Sequence, residues 1–279
     1  MNNDNQTTTL EPAPEVNPFA ERAQAEAAKP KKASILDQVT VRKRRRPIFG
    51  VLYGQPGIGK STFGASLPKP IIIPTERLDQ INVSKLPVPR DFKQLYDQID
   101  ALDKEQHDYE SIVLDTLDAA ELLIWQRVCS EGKCKSIEEF GGGYGKGYVR
   151  ARELWTGLLS KLSDMSERFN VLLTAHAHVK SFSDPSLSVP FDIWKMRIHD
   201  KSADVIRQMV DLILFVNLET IIQKESQKSR KGKGIVSGDR VLWTRPATGF
   251  EAKNRYDLES PLEFSWEALS EGVNKFYDR

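Results

Sequence analysis

The chain has 279 residues, 39% hydrophobic and 28% charged, with 40 Lys+Arg against 39 Asp+Glu for a net charge of +1. That length can bury a sizeable core, while so even a charge balance excludes a globally basic nucleic-acid coat and confines any nucleic-acid site to a local patch. Two cysteines, Cys129 and Cys134, exclude a disulfide scaffold, and no apolar run is long enough for a membrane-spanning helix.

Residues 1–46 are rich in Asn, Thr, Pro, Glu, Ala and Lys and poor in large apolar side chains, so they predict a disordered tail, with at most a marginal helix over 19–28. The start lacks the basic-then-apolar pattern of a secretion signal, so the expected compartment is the cytoplasm. The tail ends in the basic cluster 42–46, readable as a solvated boundary or as a contact to a phosphate backbone. The core is expected over 47–279. Residues 48–53 form an apolar strand candidate, 54–60 a Gly-rich loop, 60–67 a short helix and 71–73 a second strand. Phe92, Leu95, Tyr96, Ile99 and Leu102 recur at helical spacing. A third strand covers 111–114, followed by a helix through Trp125. A Gly-rich loop covers 141–147, a long helix 149–169, a fourth strand 171–174, a helix 203–210 and a fifth strand 212–216. Beyond that the pattern turns to β, at 240–244 and 250–252. Short uninterrupted apolar strands alternating with helices predict an α/β fold, with an open, mostly parallel sheet flanked by helices and an antiparallel β extension at the C-terminal end.

Gly54-Gln55-Pro56-Gly57-Ile58-Gly59-Lys60-Ser61 matches the P-loop pattern in full, after a strand and opening a helix. The glycines let backbone amides cradle phosphate oxygens, and the helix start adds its positive end. Residues 54–62, Thr62 included, are therefore the expected nucleotide-binding set, with Lys60 on the β- and γ-phosphates and Ser61 on Mg²⁺. The cofactors expected are ATP and Mg²⁺. Asp115 ends an apolar strand and suits the magnesium shell, and it also suits a helix N-cap. Glu76 follows the second strand, where a carboxylate could orient the attacking water or simply pair with Arg77. His176 ends the fourth strand and reads as a γ-phosphate sensor, a packed histidine, or half of a metal pair with His178.

In this order the residues resemble the RecA-like ATPases, and more closely the phage-encoded, RecA-core-only nucleotide-binding proteins linked to single-strand annealing. Beyond the P-loop the likeness is carried by Pro74-Thr-Glu76-Arg-Leu-Asp79, by 172–180 around His176, and by Ala252-Lys253-Asn254-Arg255-Tyr256. The last is similar to the K-N-R-F-G motif of the bacterial RadA family, with Tyr for Phe and Asp257 for Gly. The resemblance covers about residues 47–266. It implies Glu76 as the catalytic glutamate, and a homo-oligomer in which Lys253 and Arg255 reach the γ-phosphate of the neighbouring subunit. It also implies single-stranded DNA as partner, in the host cytoplasm if the chain is phage-encoded.

Two loops combine flexibility, aromatics and cations, as sequence-tolerant single-strand binding requires. The first carries Tyr144, Lys146, Tyr148 and Arg150; the second runs over 180–197 with Lys180 and Lys195. A third basic stretch covers 224–233. A single-strand-binding protein or a nuclease is a further partner such segments could recruit. Other functions compatible with the P-loop are an ATP-gated DNA-binding module with little turnover, a helicase or packaging motor, and a small-molecule kinase.

Overall fold

The computed structural model describes residues 35–39, 41, 43–183, 188–224 and 232–279, with backbone only for 37–38, 220–224 and 232–237. The chain divides into two units, 1–43 and 44–279. In the first, the described residues contain one 3₁₀ turn, Ile35–Gln38. The expected tail before it, with its helix over 19–28, lies outside the described residues.

The second unit opens with Arg44, Arg45 and Arg46, whose guanidiniums pair with Glu167, Asp278 and Asp211. Those three cations of the basic cluster are therefore engaged by the unit's own carboxylates. The strands then follow as β1 (Phe49–Gly54), β2 (Pro70–Pro74), β3 (Ser84–Lys85), β4 (Ser111–Asp115), β5 (Asn170–Phe182), β6 (Phe191–Met196), β7 (Leu212–Lys224), β8 (Gly232–Trp243), β9 (Lys253–Asn254) and β10 (Leu262–Glu263). The helices are α1 (Lys60–Ala65), α2 (Phe92–Lys104), α3 (Leu117–Gly132), α4 (Lys146–Met165), α5 (Asp200–Met209) and α6 (Trp266–Asp278). The sheet order is β10-β8-β7-β1-β5-β4-β2-β3. From β7 to β3 all pairings are parallel, and β8 and β10 are antiparallel additions at one edge. The expected architecture is present.

Alternate residues of each central strand feed two cores. Val51, Tyr53, Ile73, Leu114, Leu173 and Phe215 face the cluster shared with α2, α3, α4 and α5. Leu52, Ile72, Val113, Leu172 and Leu214 face the cluster shared with α1 and α6. With both faces covered, neither can be polar, which is why these strands read as unbroken apolar runs.

Three elements depart from the sequence expectation. The fourth strand runs on past Thr174 to Phe182, and Ala177–Phe182 pairs antiparallel with β6, so both ends of the expected second loop, 180–182 and 191–196, are strands. α4 begins at Lys146, so the Gly-rich loop ends at 145, and Lys146, Tyr148 and Arg150 of the first expected DNA loop are helical. The C-terminal residues fold as α6, capped by Ser265, whose Oγ accepts from the Ala268 amide at 3.2 Å, with Leu269 and Val273 buried one turn apart. No helix among the described residues is long and apolar enough to cross a membrane.

Candidate active site

The parallel strands end together on one side of the sheet, and the loop after β1 starts there. Gly57 has φ 77° and Gly59 φ 105°, a backbone region that costs glycine little and other residues more. A Cβ on Gly59 would also stand 2.5 Å from Arg240 Nη1, which donates to the Ile58 carbonyl at 3.3 Å. The turn delivers the chain into α1, whose start has no side-chain cap. Its first amides are thus available donors. Lys60 is buried and its Nζ donates to the carbonyls of Gly54 and Gln55 at 3.2 and 3.0 Å. Burial pushes its ammonium pKa down against the opposing field of Asp115.

Asp115 closes β4 with a buried carboxylate. Ser61 Oγ donates to its Oδ2 at 2.6 Å, and the Thr174 hydroxyl donates to Oδ1. Two neutral hydroxyls and one buried carboxylate form an oxygen donor set of the kind a small hard divalent cation takes. The magnesium expectation therefore fits these residues, and so does a polyphosphate in the Gly57–Thr62 cradle. Glu76 is placed by a clasp between β2 and β4. The Thr75 amide donates to the Asp115 carbonyl at 2.7 Å, and Thr75 Oγ1 both accepts from the Thr116 amide and donates to the Thr116 carbonyl. Glu76 then stands exposed at the rim of a cleft of about 410 Å³ that Lys60, Ser61, Thr62, Asp115 and His176 also line. Gln55 and Pro56 lie on the outer, exposed side of the loop.

His176 reaches the cleft because β5 lies between β1 and β4. Its ring is gripped by a residue the sequence reading passed over. Asp118, in the first turn of α3, accepts from His176 Nδ1 at 2.8 Å and from the His176 amide at 3.0 Å. Arg197, just after β6, donates to the same carboxylate at 3.0 Å, and its amide donates to the His176 carbonyl at 2.7 Å. Burial alone would push the Asp118 carboxyl up, but the bonds from His176 outweigh it and hold the group well below the usual carboxylate range. One donor atom each from Glu76, Asp118 and His176 lie within 4.8 Å of one another, whereas His178 stands opposite Lys195 in the hairpin and is not part of that cluster. The available signal was Asp115-x-x-Asp118: a helix starting after the strand puts the second carboxylate one turn along, beside the strand end.

Other expected site residues are placed elsewhere. Lys253 and Arg255 lie at the opposite end of the sheet from the P-loop, since Lys253 is in register with Ile213 near the start of β7 while Gly54 is in register with Val216. Lys253 Nζ donates to the Arg207 carbonyl at the end of α5, and Arg255 pairs with Asp211 at 2.8 Å. In their own chain they brace the sheet rather than reach a phosphate. Among the expected DNA contacts, Tyr148 stacks on His199 with centroids 4.0 Å apart, and Arg150 pairs with Glu131 and Glu153. Lys195 pairs with Glu251 and lies over the Phe182 ring. Within the chain these three are paired, and apart from the i,i+3 pair of Arg150 with Glu153 their partners are distant in sequence. Lys180 is exposed and paired to Asp200 at 2.6 Å, and Lys146 donates to the Gly141 carbonyl at 2.9 Å. Tyr144 is 98% exposed, held out by five consecutive positive-φ residues, 141–145. Of the basic stretch 224–233, residues 225–231 lie outside the described residues.

No curated protein matches the chain. A family model described as an AAA domain matches residues 46–256, from the last arginine before β1 to the tyrosine after β9. That span includes the P-loop, Asp115, Glu76 and the strand order that brings them to one cleft, and the chain belongs to this family of P-loop ATPases.

Proposed function

We propose that the chain is an Mg²⁺-dependent ATPase of RecA type that acts on single-stranded DNA in phage recombination, annealing or replication. The observation that carries the reading is the convergence of Lys60, Ser61, Thr62, Glu76, Asp115 and His176 on one cleft at the strand ends. Lys60 and the first amides of α1 would hold the phosphates, and Ser61 and Asp115 would hold Mg²⁺. The cation, when bound, would supply charge neutralisation on the phosphate oxygens. Glu76, exposed at the rim of the cleft, orients the attacking water.

The DNA part of the reading is supported by the exposed Tyr144 beside Lys146, a stacking face next to a cation, and by Lys180 on the neighbouring hairpin. The phage part rests on the resemblance at 74–79 and 172–180. The test is ATP hydrolysis by wild type and Lys60→Ala, with and without single-stranded DNA, at two salt concentrations. DNA-stimulated turnover that weakens with salt and falls about 10²–10³-fold in Lys60→Ala is expected. Turnover indifferent to DNA overturns the nucleic-acid reading and leaves a P-loop ATPase with another substrate.

A further inference from the structure

The chain's two cysteines meet at the end of α3, both half-buried and both free thiols. Lys133 follows the helix in the left-handed region, with φ 50°. The Cys134 amide donates to the Cys129 carbonyl at 3.1 Å, and the Lys133 amide to the Ser130 carbonyl at 3.4 Å. This pair of bonds is the Schellman ending, which folds the side chain just past the turn back onto one in the last helical turn. Here both of those side chains are cysteines. Cys134 Sγ lies 3.8 Å from the Cys129 carbonyl oxygen, and the two thiols are within hydrogen-bond reach of each other. The 3.1 Å amide bond also bounds their backbones: with standard dimensions the two Cα atoms are no more than about 7 Å apart, a span that a disulfide can cross. Gly132 leaves room for the fold-back, since a Cβ there would stand 3.3 Å from Cys134 Sγ and 2.5 Å from the Phe140 ring.

We propose that Cys129 and Cys134 are a reversible thiol–disulfide site, oxidised by a low-molecular-weight disulfide, whose closure staples the end of α3 where the chain turns toward the Gly-rich loop 141–145. It does not depend on the reading of the cleft. One thiolate, its proton lost to solvent, attacks a sulfur of the small disulfide. The S–S bond of the reagent breaks, a mixed disulfide forms and one reagent thiolate leaves. The second protein thiolate then attacks the protein-side sulfur, so that the Cys129–Cys134 bond forms and the second reagent thiolate leaves. The protein gives up two electrons, the reagent takes them, and the two protons end on the released thiols. Burial first, and then the neighbouring sulfur, push the Cys129 thiol up, and the negative pole of α3 also disfavours a thiolate here. The pair is therefore a slow staple rather than a fast exchanger. Closing it pins both sides of Gly132, the surface against which the Phe140 ring rests just before the loop that carries the exposed Tyr144.

The test is incubation of the full chain with excess oxidised glutathione at about pH 8, followed by alkylation with iodoacetamide and intact-mass measurement. A monomer that has lost two hydrogens is expected, with neither cysteine alkylated and with both restored by dithiothreitol. Cys129→Ser and Cys134→Ser should each stop at the mixed disulfide with one glutathione. Wild type that keeps glutathione at equilibrium, that links chain to chain, or that stays fully alkylatable overturns the proposal, and the two thiols are then only the side-chain contact of the helix ending. Hydrogen exchange reads the staple itself: the Lys133 and Cys134 amides should exchange about 10-fold more slowly after oxidation. Unchanged exchange means that the bond holds nothing and overturns the staple. If the serine variants do not fold, the wild-type mass and exchange still decide.

Discussion

Two buried aspartates stand at opposite ends of the parallel sheet, and their surroundings differ in kind. Asp211, just before β7, is 1% exposed and is closed by Arg46, Arg255 and the Tyr256 hydroxyl. Asp115, at the end of β4, is 5% exposed, and its side-chain hydrogen bonds come from the neutral hydroxyls of Ser61 and Thr174. A carboxylate taken out of water needs its charge met. At Asp211 the chain meets it with its own guanidiniums, and the result is a brace. At Asp115 it supplies only dipoles, with the Lys60 ammonium nearby, and the remaining demand is one that the proposed Mg²⁺ would satisfy. The difference separates a carboxylate closed by guanidiniums from one left to neutral donors, as the proposed metal role of Asp115 requires.

The contrast can be broken in several ways. The largest effect is expected from Asp115→Asn: Mg²⁺-dependent turnover should fall about 10²-fold or more, while denaturant stability of the nucleotide-free protein should hold or rise, because a poorly compensated buried charge is gone. A large stability loss would place Asp115 in the same class as Asp211. Next is Asp211→Ala, which strands two arginines. Both are partly exposed and can rehydrate, so a loss of about 2–3 kcal/mol in urea unfolding is expected, with nucleotide affinity retained.

Arg255→Ala sharpens the comparison from the other side. Arg46 still covers Asp211, so about 1 kcal/mol of stability should go and turnover per folded molecule should stay. A fall of about 10³-fold would instead show that Arg255 leaves this brace to act on a neighbouring subunit. The smallest effect concerns Glu121, buried in the first turns of α3 and accepting from the His199 amide at 3.0 Å. Burial raises its carboxyl above the ordinary 4.5. The folded chain therefore binds this proton more tightly than the unfolded one, and the stability this contributes at low pH is lost as pH climbs from the ordinary value through the raised one. Glu121→Gln is neutral throughout, so its melting temperature relative to wild type should be higher at about pH 8 than at about pH 4. An unchanged difference would mean that Glu121 ionises without penalty.

Much of the fold was legible because it depends on short-range rules. The unbroken apolar strands, the helical repeat at Leu95, Ile99 and Leu102, and the glycines of the P-loop each report a local preference. α6 was equally legible, from Ser265 followed by Leu269 and Val273 at one-turn spacing, but a β reading of the preceding segment hid it. The hairpin of β5 and β6 was not legible as one, because the aromatics and cations that suggested a loop are there paired across strands and to Asp200 and Glu251.

Sequence by itself determined where a phosphate must be cradled and which carboxylates end strands, since loop geometry, strand ends and helix starts are set by neighbours a few residues apart. Only the tertiary structure decided which charged groups are free. The same residue types serve as brace at Asp211 and as open donor at Asp115, and Asp118 takes hold of His176 from 58 positions away. Charge compensation is a matter of distance in space and of water excluded, and neither is written along the chain.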